Sequence, residues 1–185
     1  MARTESAMIA LGTKAPEFRL EDVITTHWKT LDETRAEHGL LVMFICRHCP
    51  FVIHVEKELA AIGKDFEGKG VGIVAISSND AETYPEDAPD SLKRQAAKLD
   101  FNFPYLYDET QQVARAYDAV CTPDFFLFDK GLKLVYRGQL DDSRPGNLIP
   151  VTGRDLRLAL DALIGGRPIS AEQKPSIGCN IKWKD

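Results

Sequence analysis

The sequence predicts an α/β protein with a central mixed sheet flanked by helices. Two uninterrupted apolar runs, residues 40–45 and 71–77, are typical of strands that are covered on both faces. A helical pattern separates them, so we expect a right-handed β-α-β unit with parallel strands. A later hairpin signal, residues 125–128 and 132–137, adds antiparallel strands. The length of 185 residues predicts one domain that spans the whole chain, residues 1–185.

The N-terminal elements are short. Residues 18–20 and 28–31, parted by a polar turn, are predicted to form an N-terminal hairpin. Residues 32–38 are predicted to form one or two helical turns that a glycine ends. The strand at residues 40–45 follows and ends at Cys46.

The next helix begins after Cys46 and has one apolar face. Pro50 is compatible with the first turn of this helix, and Gly68 and Gly70 end it before the strand at residues 71–77. Its apolar residues recur at spacings of three and four, which predicts that one face is buried. They are Val52, Val55, Leu59, Ile62 and Phe66.

The second half continues the alternation of strands and helices. The final helix is predicted at residues 152–164, with Thr152 as its N-cap and Gly165 past its end. The core spans about residues 14–165, and the tail at residues 166–185 is apolar enough that we expect it to dock. Before the final helix we predict an acidic loop at 79–90, a helix at 91–99, a strand at 105–107, a helix at 111–117, a hairpin closed by a Lys-Gly turn, and an irregular stretch at 140–150.

Charge and hydropathy exclude some classes of partner. The net charge is −5, and lysine and arginine are scattered, so we expect no nucleic-acid partner. The apolar stretch at residues 7–11 is too short for a secretory signal or a membrane span. We therefore expect a cytoplasmic protein without a membrane partner.

Two of the four cysteines stand two residues apart, where the apolar strand ends. Four cysteines are too few for a disulfide-stapled scaffold, and a Cys-x-x-Cys pair in a reducing compartment is typically catalytic or metal-binding. The intervening residues are Arg47 and His48. Cys121 and Cys179 are the two remaining cysteines.

The junction of a strand and a helix predicts redox chemistry for the pair. Unpaired backbone N–H groups and the positive end of the helix dipole favour a thiolate there. We expect Cys46 to be the attacking sulfur, and Cys49, one turn later, to resolve the mixed disulfide. Positive charge on Arg47 or His48 is expected to stabilise the thiolate and make the pair more oxidising.

The motifs resemble those of the thioredoxin-like superfamily. The Cys-Arg-His-Cys segment at residues 46–49 and the later Thr122-Pro123 entering a hairpin carry the resemblance. The opening GTKAPEF segment at residues 12–18 is more similar to the branch that holds peroxiredoxins and cytochrome-maturation thioredoxins. Within it, the chain resembles bacterial redoxins with a Cys-x-His-Cys-Pro motif. This implies a thioredoxin-like fold.

The resemblance also implies roles for residues outside the pair. It implies a cis Thr122-Pro123 peptide that packs on the pair and binds an extended substrate segment, whereas a routine turn is the alternative. Cys121 is either a packing residue or an exchanging thiol. Peroxiredoxins often keep a resolving cysteine near the C-terminus, so Cys179 is either a third exchanging thiol, of this chain or of a partner subunit, or an incidental thiol in a docked tail.

Two departures from the family patterns limit these roles. Small thioredoxins carry a buried acid shortly before the first cysteine, and residues 40–45 contain none, so the proton acceptor of the resolving step is unassigned. If Cys49 were a peroxidatic cysteine, Cys46 would occupy the position of the usual threonine, and Pro123 would stand about where an activating arginine belongs. Peroxide activation is therefore poorly supported.

Other readings of the same residues stay open. Both cysteines could be inert core residues. Cys46, His48 and Cys49 could bind zinc, with Cys121 or Cys179 completing a tetrahedron.

The loop after residue 77 has two readings as well. Asn79, Asp80 and Tyr84 could border the site at the carboxyl end of the strand, although we expect a solvated acidic loop. Asp141 and Asp142 suggest turn chemistry, and His27, His38 and His54 have no assigned role.

The sequence thus predicts a thiol-disulfide oxidoreductase with no cofactor and no metal. Its expected partners are protein or small-molecule disulfides and a thiol electron donor. A homodimer is one of the assemblies left open. The alternatives are a thiol-dependent peroxidase that uses Cys179 as resolving cysteine, and a redox-sensing or zinc-binding module.

Overall fold

The fold is described from a computed structural model for residues 3–184. None of the helices in this range is long and apolar enough to cross a bilayer. The helices are α1 (Leu31–Thr34), α2 (Pro50–Asp65), α3 (Pro89–Leu99), α4 (Gln112–Ala116) and α5 (Arg154–Ile164). The strands are β1 (Arg3–Glu5), β2 (Arg19–Asp22), β3 (Trp28–Thr30), β4 (Gly39–Phe44), β5 (Val71–Ser77), β6 (Tyr105–Tyr107), β7 (Cys121–Thr122), β8 (Asp124–Asp129), β9 (Leu134–Gly138) and β10 (Ile177–Asn180).

Seven strands form a mixed sheet in the order β3-β2-β6-β5-β4-β8-β9. The β4–β5 and β5–β6 pairs are parallel, and the remaining pairs of this sheet are antiparallel. The predicted β-α-β unit and both predicted hairpins are present. The mixed sheet flanked by helices is therefore confirmed.

Strand β4 lies at the centre of the sheet, and all six of its residues are buried. Its side chains alternate between two hydrophobic clusters because successive residues of a strand point to opposite faces. Leu41 and Met43 join the cluster that contains the apolar faces of α2, α3 and α5. Leu40 and Val42 join the opposite cluster, with α1 and α4. This central strand leads the chain directly to the cysteine pair.

The C-terminal tail docks as a strand. Strand β10 pairs antiparallel with β1 on one side and with β7 on the other, where Cys179 lies opposite Thr122. A Cβ atom at Gly178 would lie 1.9 Å from the carbonyl oxygen of Thr122, so only glycine permits this approach. This small second sheet was not predicted, and it places the tail against the Thr122-Pro123 segment.

The final helix is capped differently from the prediction. Helix α5 begins at Arg154, its N-cap is Gly153, and Thr152 makes no side-chain cap. Asp141 replaces that cap, since its Oδ2 accepts hydrogen bonds from the backbone N–H groups of Thr152 and Gly153, each at 2.7 Å. The prediction of Thr152 as N-cap was wrong because an acid 11 residues earlier binds the same end of the helix.

Candidate active site

The two cysteines of the Cys-x-x-Cys segment lie between β4 and α2. Cys46 follows the end of β4 by two residues, and Cys49 is the N-cap of α2. Their side chains are almost fully buried, with 1% of Cys46 and none of Cys49 exposed. Both are free thiols. The prediction that Pro50 lies in the first turn of this helix is confirmed, and this start makes Cys49, not Cys46, the N-cap.

Several donors converge on the sulfur of Cys49. The pKa of this thiol is lowered to about 5, chiefly by a hydrogen bond from Cys46, against an opposing contribution from burial. The Cys179 thiol and the backbone N–H groups of Val52 and Cys179 lower it further. A sulfur at the N-terminus of a helix is also favoured as an anion by the helix dipole. These contacts favour the thiolate form of Cys49.

Cys46 has the opposite electrostatic environment. Burial raises the pKa of its thiol, and its hydrogen bond to Cys49 and the negative charge of Asp87 raise it further. The expectation that Cys46 is the more acidic thiol was therefore wrong. The physical causes are the burial of the Cys46 thiol, its hydrogen bond to Cys49 and the nearby Asp87 carboxylate, whereas Cys49 lies at the positive end of α2.

The Thr122-Pro123 peptide is cis and contacts both sulfurs of the pair. The Thr122 Oγ1 lies 3.4 Å from the Cys46 sulfur, and the Cys49 sulfur, when it is protonated, can donate to the Thr122 carbonyl oxygen at 3.2 Å. The backbone expected to be exposed for substrate is covered instead. Strand β10 pairs with β7 there, and the Ser176 hydroxyl donates to the Pro123 carbonyl oxygen at 2.6 Å. A substrate strand can pair at this edge only after β10 leaves it.

Of the two accessory cysteines, Cys179 is the one in contact with Cys49. Burial raises the pKa of Cys179 to about 12, and its side-chain hydrogen bond to Cys49 adds to that effect. Burial likewise raises the pKa of Cys121. The Cys121 thiol lies 3.8 Å from the Pro123 carbonyl oxygen. The docked tail thus brings a third thiol to the redox pair, while Cys121 contacts the neighbouring backbone.

The loop after β5 contributes a buried acid that the sequence reading missed. Asp87 is fully buried and accepts hydrogen bonds from the backbone N–H groups of Arg47 and His48 at 2.8 and 3.2 Å. Asn79 is also buried, and Tyr84 stacks on the His48 ring. The expectation of a solvated loop was therefore wrong for Asn79, Asp80 and Asp87, whereas residues 82, 83, 85 and 86 are exposed. The only available signal was the position of this loop, which follows the carboxyl end of a central parallel strand.

The residues between the cysteines differ in exposure. Arg47 is exposed to solvent, whereas only 14% of the His48 side chain is exposed. His48 lies against the redox pair, while Arg47 contributes its backbone N–H to the bond with Asp87.

A second buried acid, Asp124, follows the cis proline. Burial raises the pKa of its carboxyl group, and the Oδ2 atom has no hydrogen-bond partner among residues 3–184. Its negative charge contributes to the raised pKa of Cys121. An acid at the start of an otherwise apolar strand, directly after Thr-Pro, is a signal by which the sequence could have identified it.

Cys46, His48 and Asp87 form a group of side chains that could hold a metal ion. One donor atom each from Cys46, His48 and Asp87 lie within 4.8 Å of one another. Both oxygens of Asp87, however, already accept hydrogen bonds from four N–H groups of Arg47, His48 and Asn79. This cluster is thus organised as a hydrogen-bonded unit of the thiol site.

Known proteins resemble this chain in sequence. The model of the AhpC/TSA family matches residues 11–137. The thiol-disulfide oxidoreductase ResA of Geobacillus kaustophilus is 28% identical over 130 residues, which cover 69% of this chain and 68% of that protein.

Solved structures match as well. An uncharacterized conserved protein from Geobacillus kaustophilus is 58% identical with a TM-score of 0.98, over 100% of this chain and 97% of that one. The thioredoxin domain of a thiol-disulfide oxidoreductase from Bacteroides vulgatus is 19% identical with a TM-score of 0.65, over 84% of this chain and 99% of that one. At this identity the likeness concerns the fold alone, and it confirms the predicted thioredoxin-like fold.

Proposed function

The chain belongs to the AhpC/TSA family, and from this premise we propose that it is a thiol-disulfide oxidoreductase whose redox pair is Cys46 and Cys49. The ResA relative, itself a thiol-disulfide oxidoreductase, supports the class of reaction. The substrates are disulfides of proteins or small molecules, and a thiol donor returns the pair to its reduced state.

The proposed exchange runs in two steps. The Cys49 thiolate attacks a substrate disulfide, which forms a Cys49–substrate bond and releases the other sulfur as a thiolate. Cys46 then loses its proton and attacks Cys49, which forms the Cys46–Cys49 disulfide and releases the second substrate sulfur. Two electrons pass from the pair to the substrate, and a donor dithiol reverses both steps.

This order of attack differs from the one that the sequence suggested. The observation that carries it is the position of Cys49 as the N-cap of α2, and its pKa is lowered there by the neighbouring Cys46 and Cys179 thiols and by two backbone N–H groups. Only the thiolate form of a cysteine is nucleophilic. The sulfur that carries the negative charge therefore makes the first attack, and the protonated sulfur resolves.

The proposal is tested by reduction of insulin disulfides with a dithiol donor. We expect the wild-type protein to accelerate this reduction and both Cys46→Ser and Cys49→Ser to abolish the acceleration. Cys121→Ser is the matched control because it removes a buried thiol that lies outside the pair, and it should retain the activity. Retained activity in Cys49→Ser contradicts the proposal.

A thiol-dependent peroxidase is the less favoured alternative. The groups with the largest effects on the Cys49 pKa are thiols, backbone N–H groups and burial, and an arginine guanidinium is not among them. Pro123 lies at the position where the resemblance would require that guanidinium. We therefore expect slow peroxide consumption, and rapid consumption that persists in Cys46→Ser would favour the peroxidase instead.

The binding-module alternative makes a different prediction. Stoichiometric, tight zinc binding with no disulfide reduction would favour a zinc or sensor module over the proposed enzyme. The filled hydrogen-bonding capacity of Asp87 argues against such a cage.

A further inference from the structure

Asp87 holds His48 through a set of bonds that leaves little orientational freedom. Asp87 Oδ1 accepts the backbone N–H groups of Arg47 and His48, and Oδ2 accepts Asn79 Nδ2 at 2.7 Å and contacts His48 Nδ1 at 2.5 Å. The orientation of the Asn79 amide is fixed by its other end, because Asn79 Oδ1 accepts the backbone N–H of Lys182 at 2.8 Å. Every assigned partner of Asp87 other than the imidazole is thus a donor.

This arrangement fixes the tautomer of His48. Since both oxygens of Asp87 act as acceptors, the His48 Nδ1 carries the proton that it shares with Oδ2. The lone pair of a neutral imidazole then lies on Nε2. That atom is buried and has no hydrogen-bond partner among residues 3–184. The ring is further held by Tyr84, whose ring stacks on it at 5.3 Å between centroids and 7° between planes.

The His48 ring lies close to the thiol that has to release a proton in the resolving step. Cys46 is the protonated thiol of the reduced pair, and the Cys46 sulfur, one imidazole nitrogen and one Asp87 oxygen all lie within 4.8 Å of one another. One bridging water spans such a distance. No acid or base of the strand that precedes Cys46 could take this proton.

We propose that His48 is the general base that accepts the Cys46 proton in the resolving step, with Asp87 as its positioning residue. This inference deepens the proposed function and rests on it. As the Cys46–Cys49 bond forms and the Cys49–substrate bond breaks, the proton passes from Cys46 to His48 Nε2, and from there to the departing substrate thiolate. The first substrate sulfur takes its proton from solvent, so that the dithiol pair and one disulfide become one disulfide and two thiols.

A cavity lies beside His48. The cavity has a volume of about 400 Å³. Its lining combines an apolar side chain with groups of both charge signs, which suits a peptide or a small polar thiol more than a purely apolar one. The residues that line it include His48, Arg47, Ile53, Glu56, Arg94 and Lys98.

The test separates the two steps by their products. Reduced protein is mixed with excess dithiodipyridine, which releases one coloured thiopyridone when Cys49 attacks and a second when Cys46 resolves. Because thiopyridone leaves without needing a proton, the second phase reports the deprotonation of Cys46. We expect His48→Ala to leave the first phase unchanged and to slow the second by about 100-fold, the usual contribution of a general base.

Rescue distinguishes a base from a structural residue. Free imidazole should accelerate the second phase of His48→Ala in proportion to its concentration, because it replaces the missing base. The matched control is His27→Ala, which removes an exposed histidine and should show normal phases without an imidazole effect. His48→Gln keeps a polar side chain and serves as a second variant in case His48→Ala does not fold. It should show the same slow second phase.

The positioning role of Asp87 is tested by the tautomer of His48 that it stabilises. Nitrogen NMR of the wild-type protein should show neutral His48 protonated on Nδ1, and Asp87→Asn should shift that population toward Nε2. This inference is overturned if the second phase keeps its wild-type rate in both His48 variants. It is also overturned if imidazole does not accelerate a slow second phase. Neither result contradicts the assignment of Cys46 and Cys49 as the redox pair. Failure of the wild-type protein to release two thiopyridones contradicts the proposed function itself.

Discussion

The sulfur of Cys49 lies 3.2 Å from the carbonyl oxygen of Thr122, 73 residues later in the chain. This contact joins the N-terminus of α2 to the cis-proline segment, and the tail strand β10 pairs with the same residue, Thr122. Three distant segments thus surround one sulfur. The reactivity of Cys49 therefore depends on the folding of the whole chain.

The lowered pKa of Cys49 predicts a thiolate that persists in mild acid. In reduced wild-type protein the ultraviolet absorbance of one thiolate should remain until the pH falls through about 5. Cys49→Ser should lose this acidic transition, whereas Cys121→Ser should keep it. An absorbance that appears only near the pKa of free cysteine, about 8.5, is the contrary result.

The lowered pKa of Cys49 also predicts how the free energy of unfolding depends on pH. Folding lowers the pKa of Cys49 from near 9 to about 5, so its contribution is fully present above 9 and is lost as the pH falls toward 5. The difference in urea midpoint between wild type and Cys49→Ser should therefore shrink from pH 8 to pH 5, at about constant ionic strength. A difference that grows on acidification would reverse the predicted sign.

Gly178 predicts a tightly docked tail. A methyl group there would collide with the Thr122 carbonyl oxygen, so Gly178→Ala should destabilise the protein by about 1–3 kcal/mol, as overpacking does. In this variant the displacement of β10 should also expose Cys179, so that its thiol reacts faster with a maleimide. Gly131→Ala is the control, since its nearest neighbour is the flexible Asp129 carboxylate. Equal effects of the two substitutions would contradict the tight approach.

The contact between Cys49 and Cys179 predicts an alternative disulfide. Mild oxidation of Cys46→Ser should link Cys49 to Cys179, because Cys179 is the remaining thiol that hydrogen-bonds to Cys49. Peptide mass mapping detects this bond. In the Cys46→Ser/Cys179→Ser double variant, Cys49 should stay unbridged. A Cys49–Cys121 bond in the single variant would contradict the assignment of Cys179 as the neighbouring thiol.

The hydrogen bonds of Asp141 predict that its substitution destabilises the protein more than substitution of the adjacent Asp142. Asp141→Ala removes the acceptor for two backbone N–H groups at the start of α5 and should cost about 1–3 kcal/mol. Asp142→Ala breaks only exposed or half-exposed contacts, including the ion pair with Lys174, and should cost less than about 1 kcal/mol. Chemical denaturation compares the two, and equal losses would rule out the capping role of Asp141.

Local sequence patterns predicted the fold better than they predicted the site. The continuous apolar run at residues 40–45 and the helical spacing after Pro50 depend on neighbouring residues, so the β-α-β unit could be recognised. The charge of the pair depends in part on a contact with the tail, because the Cys179 thiol and backbone N–H lower the pKa of Cys49. No local pattern shows that the tail lies there.

Long-range contacts explain the remaining differences. Asp87 reaches His48 across 39 residues, and β10 reaches Thr122 from the end of the chain. Neither contact has a periodic signal, because an acidic loop and a mixed apolar tail are compatible with solvated segments as well. Both contacts became visible only when the strands brought their ends together at one edge of the sheet.

The most direct test is a single turnover of reduced protein with insulin, stopped with acid and analysed by peptide mass mapping. We predict that one Cys46–Cys49 disulfide forms for each substrate disulfide reduced, while Cys121 and Cys179 remain thiols. If insulin is reduced while Cys46 and Cys49 both remain thiols, or if no insulin is reduced at all, the account of this pair as the redox centre is contradicted.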